Sequence, residues 1–398
     1  MKRRWLAETL PTFLITTDSG LESVLVDELR ELVGSFVIER MFSGRVLITC
    51  KGCSVVNVLR SRIANNVYYV LGIFDGIESL NDVYRAVRSM DFSHIIEPDE
   101  SFAIRPERVG EHDFTSVDIA RVAGQAVIDS YMDSRKQRLK VNLDEPDVEV
   151  YVELNQDKLF VALKLTKTSL HKRGYKVFNH PASLKTTIAA AMLRIARWKV
   201  DEGLLDPMCG GATVLIEAGL IAKGIECVCF KKEEISLNRV IKRVDYCIEE
   251  EMSALCDRAP RPASAAIVGI EKNPVYAEGG VINAKFANVD DVVKILVGDC
   301  RKLARIVKWV FRELGTDPRV AVFNPPYGVR MKGRESMMEL YTDVLRILER
   351  EGFERIVFIT SAIGSAETAI SKLRHLKKVE RIYTVHGTLP SFIYYIEV

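Results

Sequence analysis

The chain has 398 residues, of which 48% are hydrophobic and 28% are charged. This composition is typical of a folded globular protein and excludes a disordered one, and the length predicts two or three domains. The formal net charge is only +2, so contacts with nucleic acid must come from local basic patches. No apolar run is long enough to span a membrane, and the chain starts without the apolar segment of a signal peptide. We therefore expect a cytoplasmic protein with no membrane contact.

Eight cysteines are scattered along the chain. The spacings Cys50-x-x-Cys53 and Cys227-x-Cys229 resemble halves of metal sites, but no matching Cys/His pair follows at the spacing of a zinc finger. Both lie beside strand-like apolar residues, where a reduced cysteine is an ordinary small core residue. We therefore expect reduced cysteines and no metal.

The order of predicted elements up to residue 166 indicates two small α+β units. The first unit ends near Asn65 and contains strands at 13–16, 37–38 and 45–49 and helices at 21–32 and 55–62. The second unit contains strands at 68–74, 101–105, 148–154 and 159–166 and helices at 80–90 and 117–131. Because Val148, Val150 and Val152 alternate along one face, we expect the last two strands to form a half-solvated antiparallel pair.

A basic stretch without acidic residues, 166–176, follows the second unit. Its cationic side chains predict phosphate contacts and its tyrosine can stack on a base. The candidate RNA-binding residues are Lys167, His171, Lys172, Arg173, Tyr175 and Lys176. A solvated connector between domains is the alternative interpretation.

The second half of the chain begins with a predicted helix at 184–198. A short buried strand, Gly203–Asp206, then leads through a glycine turn, 207–213, into a helix at 214–222. A strand, a glycine turn and a helix N-terminus let backbone N–H groups approach a ligand closely. The turn is neither a P-loop nor Gly-x-Gly-x-x-Gly, which disfavours a nucleotide hydrolase or a nicotinamide enzyme.

Polar residues follow each of the next strands as well. The predicted strand 265–270 ends at Glu271, which can accept hydrogen bonds from ribose, and 294–297 is followed by Asp299, which can accept one from an adenine amine. Together with Asp206 and Asn324, these side chains lie at one predicted sheet edge and favour an adenosine-containing cofactor. An insertion, 230–262, separates the first two strands and is predicted to be helical at 237–256.

The apolar strand Val320–Phe323 ends at Asn324-Pro-Pro-Tyr-Gly328. Two prolines cannot continue a strand, so the chain turns at the edge where ligands bind in open α/β sheets. The side-chain carbonyl of Asn324 and the main-chain carbonyl of Pro325 can accept both hydrogens of an amine, and Tyr327 can stack on the ring that carries it. This pattern suits methyl transfer to an exocyclic amine.

The remaining elements complete the predicted sheet. A basic loop containing Arg330, Lys332 and Arg334 lies beside the proposed active site, and Arg330 and Lys332 are candidate RNA contacts. A helix at 335–349 precedes a strand at 355–360, and two terminal strands, one of them antiparallel, are expected at 379–385 and 392–398.

These motifs resemble a known family. Asp206-Pro-Met-Cys-Gly-Gly-Ala-Thr213, Asp299 and Asn324-Pro-Pro-Tyr-Gly328 are similar to the motifs of class I S-adenosylmethionine-dependent amino-methyltransferases. Leu170-His-Lys-Arg-Gly-Tyr175 and Pro181-Ala-Ser-Leu-Lys185 resemble the THUMP-domain RNA guanine-N2 methyltransferases, in particular those that act on the sixth nucleotide of tRNA. The resemblance implies an α+β ferredoxin-like domain (1–65), an α+β THUMP RNA-binding domain (66–166), a basic linker (167–182) and an α/β Rossmann-fold methyltransferase domain with a seven-stranded mixed sheet (183–398).

The resemblance also implies roles for individual residues. Asn324, Pro325 and Tyr327 would grip and stack a guanine. The S-adenosyl-L-methionine pocket would be formed by Asp206, Met208, Cys209, Gly210, Ala212, Thr213, Glu271, Lys272, Asp299, Cys300 and Asn324. The THUMP domain would recognise the CCA end of tRNA and act as a ruler toward the acceptor stem, and we expect a monomer.

One residue departs from the family pattern. The family usually has Gly-Ser-Gly-Thr where this chain has Gly210-Gly-Ala-Thr213, so Ala212 adds a methyl group where the backbone normally approaches the cofactor. Three alternatives stay open at this stage: a guanine at position 10 of tRNA, a guanine of 23S rRNA, and a non-catalytic RNA-binding protein with a methyltransferase-like fold.

Overall fold

The computed structural model describes residues 3–5, 10–236, 248–263, 265–302, 307, 310–327 and 334–398. Two sheets organise the molecule, one of nine strands in the N-terminal part and one of seven strands in the C-terminal part. No helix in the described part of the chain is both long and apolar enough to cross a bilayer.

The N-terminal sheet has the order β3-β4-β2-β5-β9-β8-β6-β7, and β1 also pairs with β5. Its strands are β1 (Arg3–Trp5), β2 (Thr12–Thr16), β3 (Val37–Phe42), β4 (Arg45–Thr49), β5 (Asn66–Asp75), β6 (Ser101–Val109), β7 (Lys140–Val141), β8 (Val148–Asn155) and β9 (Lys158–Lys164). The helices of this part are α1 (Glu22–Val33), α2 (Val55–Leu59), α3 (Leu80–Arg88) and α4 (Ser116–Arg135).

The strands of the two predicted N-terminal units belong to one sheet. Strand β5 pairs antiparallel with β2 of the first unit and with β9 of the second. The division of these residues after position 65 stays a prediction. The predicted antiparallel pairing of the last two strands is confirmed by β8 and β9.

The expectation that this pair is half-solvated was wrong, because β8 is buried on both faces. On the face opposite Val150, the ring of Tyr151 stacks on Tyr68 with centroids 4.2 Å apart. Glu153 is paired there with Arg45 at 2.9 Å. A strand in the middle of a wide sheet is covered by its neighbours' side chains even where its own sequence alternates.

The C-terminal sheet has the order β12-β11-β10-β13-β14-β16-β15. All neighbours are parallel except that β16 runs antiparallel to β14 and β15, so the predicted seven-stranded mixed sheet is confirmed. The strands are β10 (Gly203–Asp206), β11 (Ile267–Glu271), β12 (Val293–Val297), β13 (Pro318–Phe323), β14 (Arg355–Thr360), β15 (Lys378–His386) and β16 (Leu389–Glu397). The chain passes to opposite sides of β10, which creates the switch point where α/β sheets bind ligands.

Several helices in the described part of the chain belong to this C-terminal half. They are α5 (Thr186–Ile195), α6 (Thr213–Ala222), α7 (Lys232–Ser236), α8 (Ile248–Cys256), α9 (Pro274–Phe286), α10 (Arg334–Arg350) and α11 (Ile363–Ile370). Helix α9 was not predicted, although Asn273 accepts from the Val275 N–H as an N-cap and a proline occupies the first turn. Within the predicted helix at 237–256, residues 237–247 lie outside the described part of the chain.

The expectation of reduced cysteines was partly wrong. Disulfides join Cys50 to Cys53 and Cys229 to Cys256. Cys209, Cys227 and Cys300 are buried thiols, as expected for core residues. The second disulfide joins Cys229, directly before the insertion 230–262, to Cys256 within it. The spacing of neighbouring cysteines does not reveal this pairing.

One apolar cluster extends from the N-terminal helices to the C-terminal sheet. It includes Leu25 of α1, Leu193 of α5, Leu215 of α6 and Val322 of β13. The N-terminal helices and the C-terminal sheet therefore share one buried core.

Candidate active site

A cavity of about 430 Å³ opens where β10, β11, β12 and β13 end. All the predicted cofactor residues except Ala212 line it, namely Asp206, Met208, Cys209, Gly210, Thr213, Glu271, Lys272, Asp299, Cys300 and Asn324. Pro325 and Tyr327 line it as well. The prediction that these strand ends meet at one edge is therefore confirmed, since parallel strands that start from one side of a sheet end together on the other.

The glycine turn after β10 approaches its neighbours closely. Gly210 has a φ of 51°, and a Cβ on it would lie 3.3 Å from the ring of His180. Its N–H donates to Glu271 Oε2 at 3.0 Å, while Glu271 Oε1 accepts from the Asn273 N–H at 2.7 Å. The carboxylate at the end of β11 therefore ties the turn to the next strand and shapes one wall of the cavity.

Ala212 does not line the cavity, which corrects its predicted cofactor contact. It is the N-cap of α6, has a φ of 63° and is fully buried. Its methyl group points toward α9, where a Cβ added to Gly280 would lie 3.1 Å away. The extra methyl group therefore occupies space left by a glycine on the neighbouring helix and does not narrow the ligand cavity.

Asp206 is buried at the end of β10. Its Oδ1 accepts from the Met208 N–H at 3.0 Å. Burial, together with the nearby negative charge of Glu271, raises the pKa of this carboxyl to about 8. A positively charged group of a ligand would favour the ionised form, so Asp206 is suited to hold a cation.

Asp299 has a different electrostatic environment. Arg301 donates to Oδ1 from Nε at 3.2 Å and to Oδ2 from a terminal nitrogen at 3.0 Å, and Lys272 Nζ lies 3.5 Å from Oδ2. Hydrogen bonds from Arg301 hold the pKa of Asp299 well below its usual range. The side chain is therefore a fixed anion and acceptor at the end of β12.

The Asn-Pro-Pro-Tyr turn follows β13. Asn324 donates from Nδ2 to the carbonyl oxygen of Ala182 at 3.3 Å, and Tyr327 donates its hydroxyl to Asn324 Oδ1. Tyr341 donates to the Pro326 carbonyl at 3.0 Å and fixes the middle of the turn. Because Nδ2 is held by Ala182, Oδ1 is the end of the amide that accepts hydrogen bonds.

Several side chains at the cavity and at the Asn-Pro-Pro-Tyr turn were missed by the sequence analysis, among them His180, Tyr276 and His386. His180 lines the cavity, and its ring makes an edge contact with Tyr276 at 4.3 Å. His386 Nδ1 lies 3.1 Å from the Tyr327 hydroxyl. None of these residues belongs to a local motif: His180 comes from the linker, Tyr276 from α9 and His386 from the end of β15.

Two of the predicted RNA-contacting residues are buried, which corrects their expected role. Arg173 lies 3.5 Å from Glu217 Oε1 and donates to the Arg62 carbonyl at 2.8 Å. Tyr175 is 1% exposed and donates its hydroxyl to Glu217 Oε1 at 2.7 Å. A buried carboxylate needs such partners, so these two residues connect the linker to α6 and are not surface contacts.

The other predicted RNA-contacting residues differ from one another in their exposure to solvent. Lys167 and Lys172 are exposed. Burial lowers the pKa of His171 to about 4 and that of Lys176 to about 8. Lys176 donates to Ser183 Oγ at 2.6 Å and so braces the linker itself. Arg330 and Lys332 lie outside the described residues.

Within the described ranges, no three His, Cys, Asp or Glu side chains come together as a metal site. The seven-stranded sheet with one antiparallel strand, the glycine turn after its first strand and acids at the next two strand ends define a class I methyltransferase.

Comparison with known families gives the same assignment. Residues 173–390 match the family described as RMKL-like, methyltransferase domain, and residues 78–164 match the THUMP domain. The chain belongs to this family of methyltransferases. Enzymes of this class take the methyl group from S-adenosylmethionine.

Two archaeal relatives are similar over most of the chain. The tRNA (guanine(6)-N2)-methyltransferase of Methanocaldococcus jannaschii is 35% identical, over 96% of this chain and 99% of the relative. The enzyme of the same name from Archaeoglobus fulgidus is 38% identical, over 88% of this chain and 83% of the relative. Among solved structures, SMU.472, a putative methyltransferase complexed with SAH, shares the fold with a TM-score of 0.77 and 20% identity, over 100% of this chain and 99% of that one.

Proposed function

We propose that this protein transfers a methyl group from S-adenosylmethionine to the exocyclic N2 amine of guanosine 6 in tRNA. The observation that carries the proposal is the position of Asn324 and Tyr327, which line the same cavity as the carboxylates at the neighbouring strand ends. The relatives' names supply the nucleic acid and the nucleotide. The choice of asparagine over aspartate before Pro-Pro-Tyr favours position 6 over position 10 of tRNA.

The residues of the cavity fit the cofactor. Gly210 presents its main chain where a Cβ would be crowded against His180 at 3.3 Å. Glu271 is positioned to accept from ribose hydroxyls, Asp299 from the adenine amine, and the buried Asp206 to hold the ammonium group. When bound, the cofactor supplies an electrophilic methyl group on a positively charged sulfur.

The protein's contribution to the reaction is to prepare the amine. The lone pair of a guanine N2 amine is conjugated with the ring, which makes it a poor nucleophile. Asn324 Oδ1 and the Pro325 carbonyl oxygen accept its two hydrogens, and Tyr327 stacks on the ring. These contacts pull the nitrogen toward tetrahedral geometry and align its lone pair with the methyl group. The nitrogen would gain the methyl group as the methyl–sulfur bond breaks, with neutral S-adenosylhomocysteine as the leaving group, and one of the nitrogen's hydrogens would leave as a proton to water.

The N-terminal half supplies the RNA-binding part of the proposal. The THUMP domain, placed at 66–166 after a ferredoxin-like domain at 1–65, binds the CCA end, and the linker 167–182 leads to the catalytic domain at 183–398. Lys167 and Lys172 are exposed on that linker and contact the phosphates of the acceptor stem. A tRNA substrate agrees with a cytoplasmic protein, and the proposal takes it to act as a monomer.

The experiment that tests the proposal is methylation of a panel of unmodified tRNA transcripts with labelled cofactor, followed by mass mapping of the modified nucleoside. We expect N2-methylguanosine at position 6. Label at position 10, or in 23S rRNA fragments but not in tRNA, would favour the alternative substrates. Calorimetry with S-adenosylhomocysteine completes the test, because a non-catalytic RNA-binding protein would not bind it.

A further inference from the structure

The hairpin between β15 and β16 brings a histidine to the catalytic turn. His386, the last residue of β15, has its Nδ1 3.1 Å from the Tyr327 hydroxyl, 59 residues away in the chain. The two rings meet edge to face, with centroids 5.8 Å apart and planes at 86°. His386 therefore contacts Tyr327 both through a polar atom and through its ring.

The hydrogen bonds at this point form a directed chain. Tyr327 donates its only hydroxyl proton to Asn324 Oδ1, so the tautomer of His386 that completes the chain carries its proton on Nδ1 and donates to the phenol oxygen. The His386 ring also makes a hydrogen bond with the main chain of Ser183. Burial lowers the pKa of His386, which keeps the ring neutral. At the other end of the chain, Asn324 Nδ2 donates to the Ala182 carbonyl.

The hairpin that carries His386 is itself held by the N-terminal half. Gly20, with a φ of 89°, packs directly against the main chain of Tyr383, three residues before His386, and leaves no room for a Cβ. Next to it, Asp18 accepts from Lys185 Nζ at 2.7 Å and from Thr187 Oγ1 at 3.0 Å. The hairpin is therefore fixed from outside the catalytic sheet.

We propose that His386 is a positioning residue, which holds the Tyr327 ring and the acceptor end of Asn324 in the orientation that receives the target base. This inference rests on the proposed function. Asn324 and Tyr327 are thereby oriented before the base arrives, so that little ordering of these side chains remains to be done in the transition state.

The consequence is a specific kinetic signature. Loss of the His386 contact leaves the cofactor cavity unchanged, so affinity for S-adenosylhomocysteine stays the same. Turnover falls, because the base is bound with a misaligned amine. A loss of roughly tenfold is expected, since small displacements near reacting atoms cost between tenfold and a hundredfold.

The test compares two replacements of similar size. Asn in His386→Asn places an N–H donor where Nδ1 stands, whereas Leu in His386→Leu has the same branched shape and no donor. Both are made in the wild-type chain and in Tyr327→Phe, which keeps the stacking ring and removes the hydroxyl. Turnover at saturating tRNA transcript, the Kd for S-adenosylhomocysteine and the unfolding temperature are measured for each.

We expect roughly tenfold lower turnover for His386→Leu and near wild-type turnover for His386→Asn, with the Kd unchanged. In the Tyr327→Phe background, the Asn and Leu replacements at position 386 are expected to give equal turnover. Equal losses for Asn and Leu in the wild-type chain, or a Leu penalty that persists in Tyr327→Phe, would overturn the inference. If the Leu variant does not fold, His386→Ala takes its place.

The same assay separates this inference from the function on which it rests. A wild-type protein that methylates no guanosine overturns the proposed function, and the positioning role with it. An active wild-type protein whose turnover does not depend on the donor at position 386 overturns only the positioning role.

Discussion

The amide of Asn324 donates from Nδ2 to the main-chain carbonyl oxygen of Ala182, 3.3 Å away and 142 residues earlier in the chain. The main chain at Ala182 therefore determines which end of this amide accepts hydrogen bonds. A free asparagine can present either end, and the proposed contact with the target amine uses the oxygen.

Replacing this side chain tests its role directly. In Asn324→Ala, methyl transfer is expected to fall by roughly a hundredfold or more, the scale of losing an oriented polar contact to the reacting group. Binding of S-adenosylhomocysteine, measured by calorimetry, is expected to change little. Asn324→Asp is the matched control: it keeps an acceptor oxygen and loses the donor to Ala182, so its loss of turnover is expected to be smaller. Unchanged turnover in Asn324→Ala would contradict the proposed contact between Asn324 and the target amine.

The raised pKa of Asp206 predicts how the stability of the protein depends on pH. Its pKa is raised from 3.8 to about 8 by burial, so its stabilising contribution is complete below about pH 4 and is lost as the pH rises toward 8. Asp206→Asn keeps the acceptor for the Met208 N–H and cannot ionise. Chemical unfolding is expected to show the variant more stable than wild type near pH 8 and similar near pH 4. Parallel stability curves for the two proteins would show that Asp206 does not titrate in this range.

The linker offers a comparison between two adjacent cations. Arg173 is buried against Glu217, whereas Lys172 is exposed. Arg173→Ala is expected to cost about 3 kcal/mol or more in the free energy of unfolding, because it leaves a buried carboxylate without its ion-pair partner. Lys172→Ala is expected to leave stability unchanged and to weaken tRNA binding, with a shallower salt dependence. If the Arg173→Ala protein is stable but binds tRNA weakly, the structural role assigned to Arg173 and the RNA contact assigned to Lys172 would have to be exchanged.

The Cys229–Cys256 disulfide predicts a redox-dependent stability. It joins residues 27 apart in sequence, and closing a loop of that length in the unfolded chain contributes about 3 kcal/mol. The Cys229→Ser, Cys256→Ser double variant is expected to unfold at a lower temperature, and a reducing agent is expected to lower the wild-type value similarly. The Cys50–Cys53 disulfide spans only three residues, so Cys50→Ser, Cys53→Ser serves as a control with a smaller effect. Equal unfolding temperatures with and without reductant would show that the longer disulfide does not stabilise the protein.

The catalytic sheet is well predicted from the sequence because each parallel strand there is a short apolar run with a polar residue at its end. Asp206, Glu271 and Asp299 follow this rule, so their meeting at one edge can be expected from the order of the strands alone. Ala212 was misjudged because the space for its methyl group comes from Gly280 on a different helix.

The contacts made by the linker and by the β15–β16 hairpin could not be predicted from the sequence in the same way. Arg173 and Tyr175 lie in a basic stretch that is typical of a surface, and their partner Glu217 is more than 40 residues away. His386 belongs to no motif, and its contact with Tyr327 depends on how the hairpin folds back over the sheet. Periodicity and local motifs report on single elements, whereas these contacts depend on the packing of several.

The most direct test of the central claim uses two tRNA transcripts that differ only at the sixth base pair. One has guanosine at position 6, and in the other it is replaced by adenosine with its partner changed to match. With the wild-type protein and labelled S-adenosylmethionine, we predict one N2-methylguanosine at position 6 of the first transcript and no label in the second. Equal labelling of both transcripts, or a modified nucleoside other than N2-methylguanosine, would contradict the account.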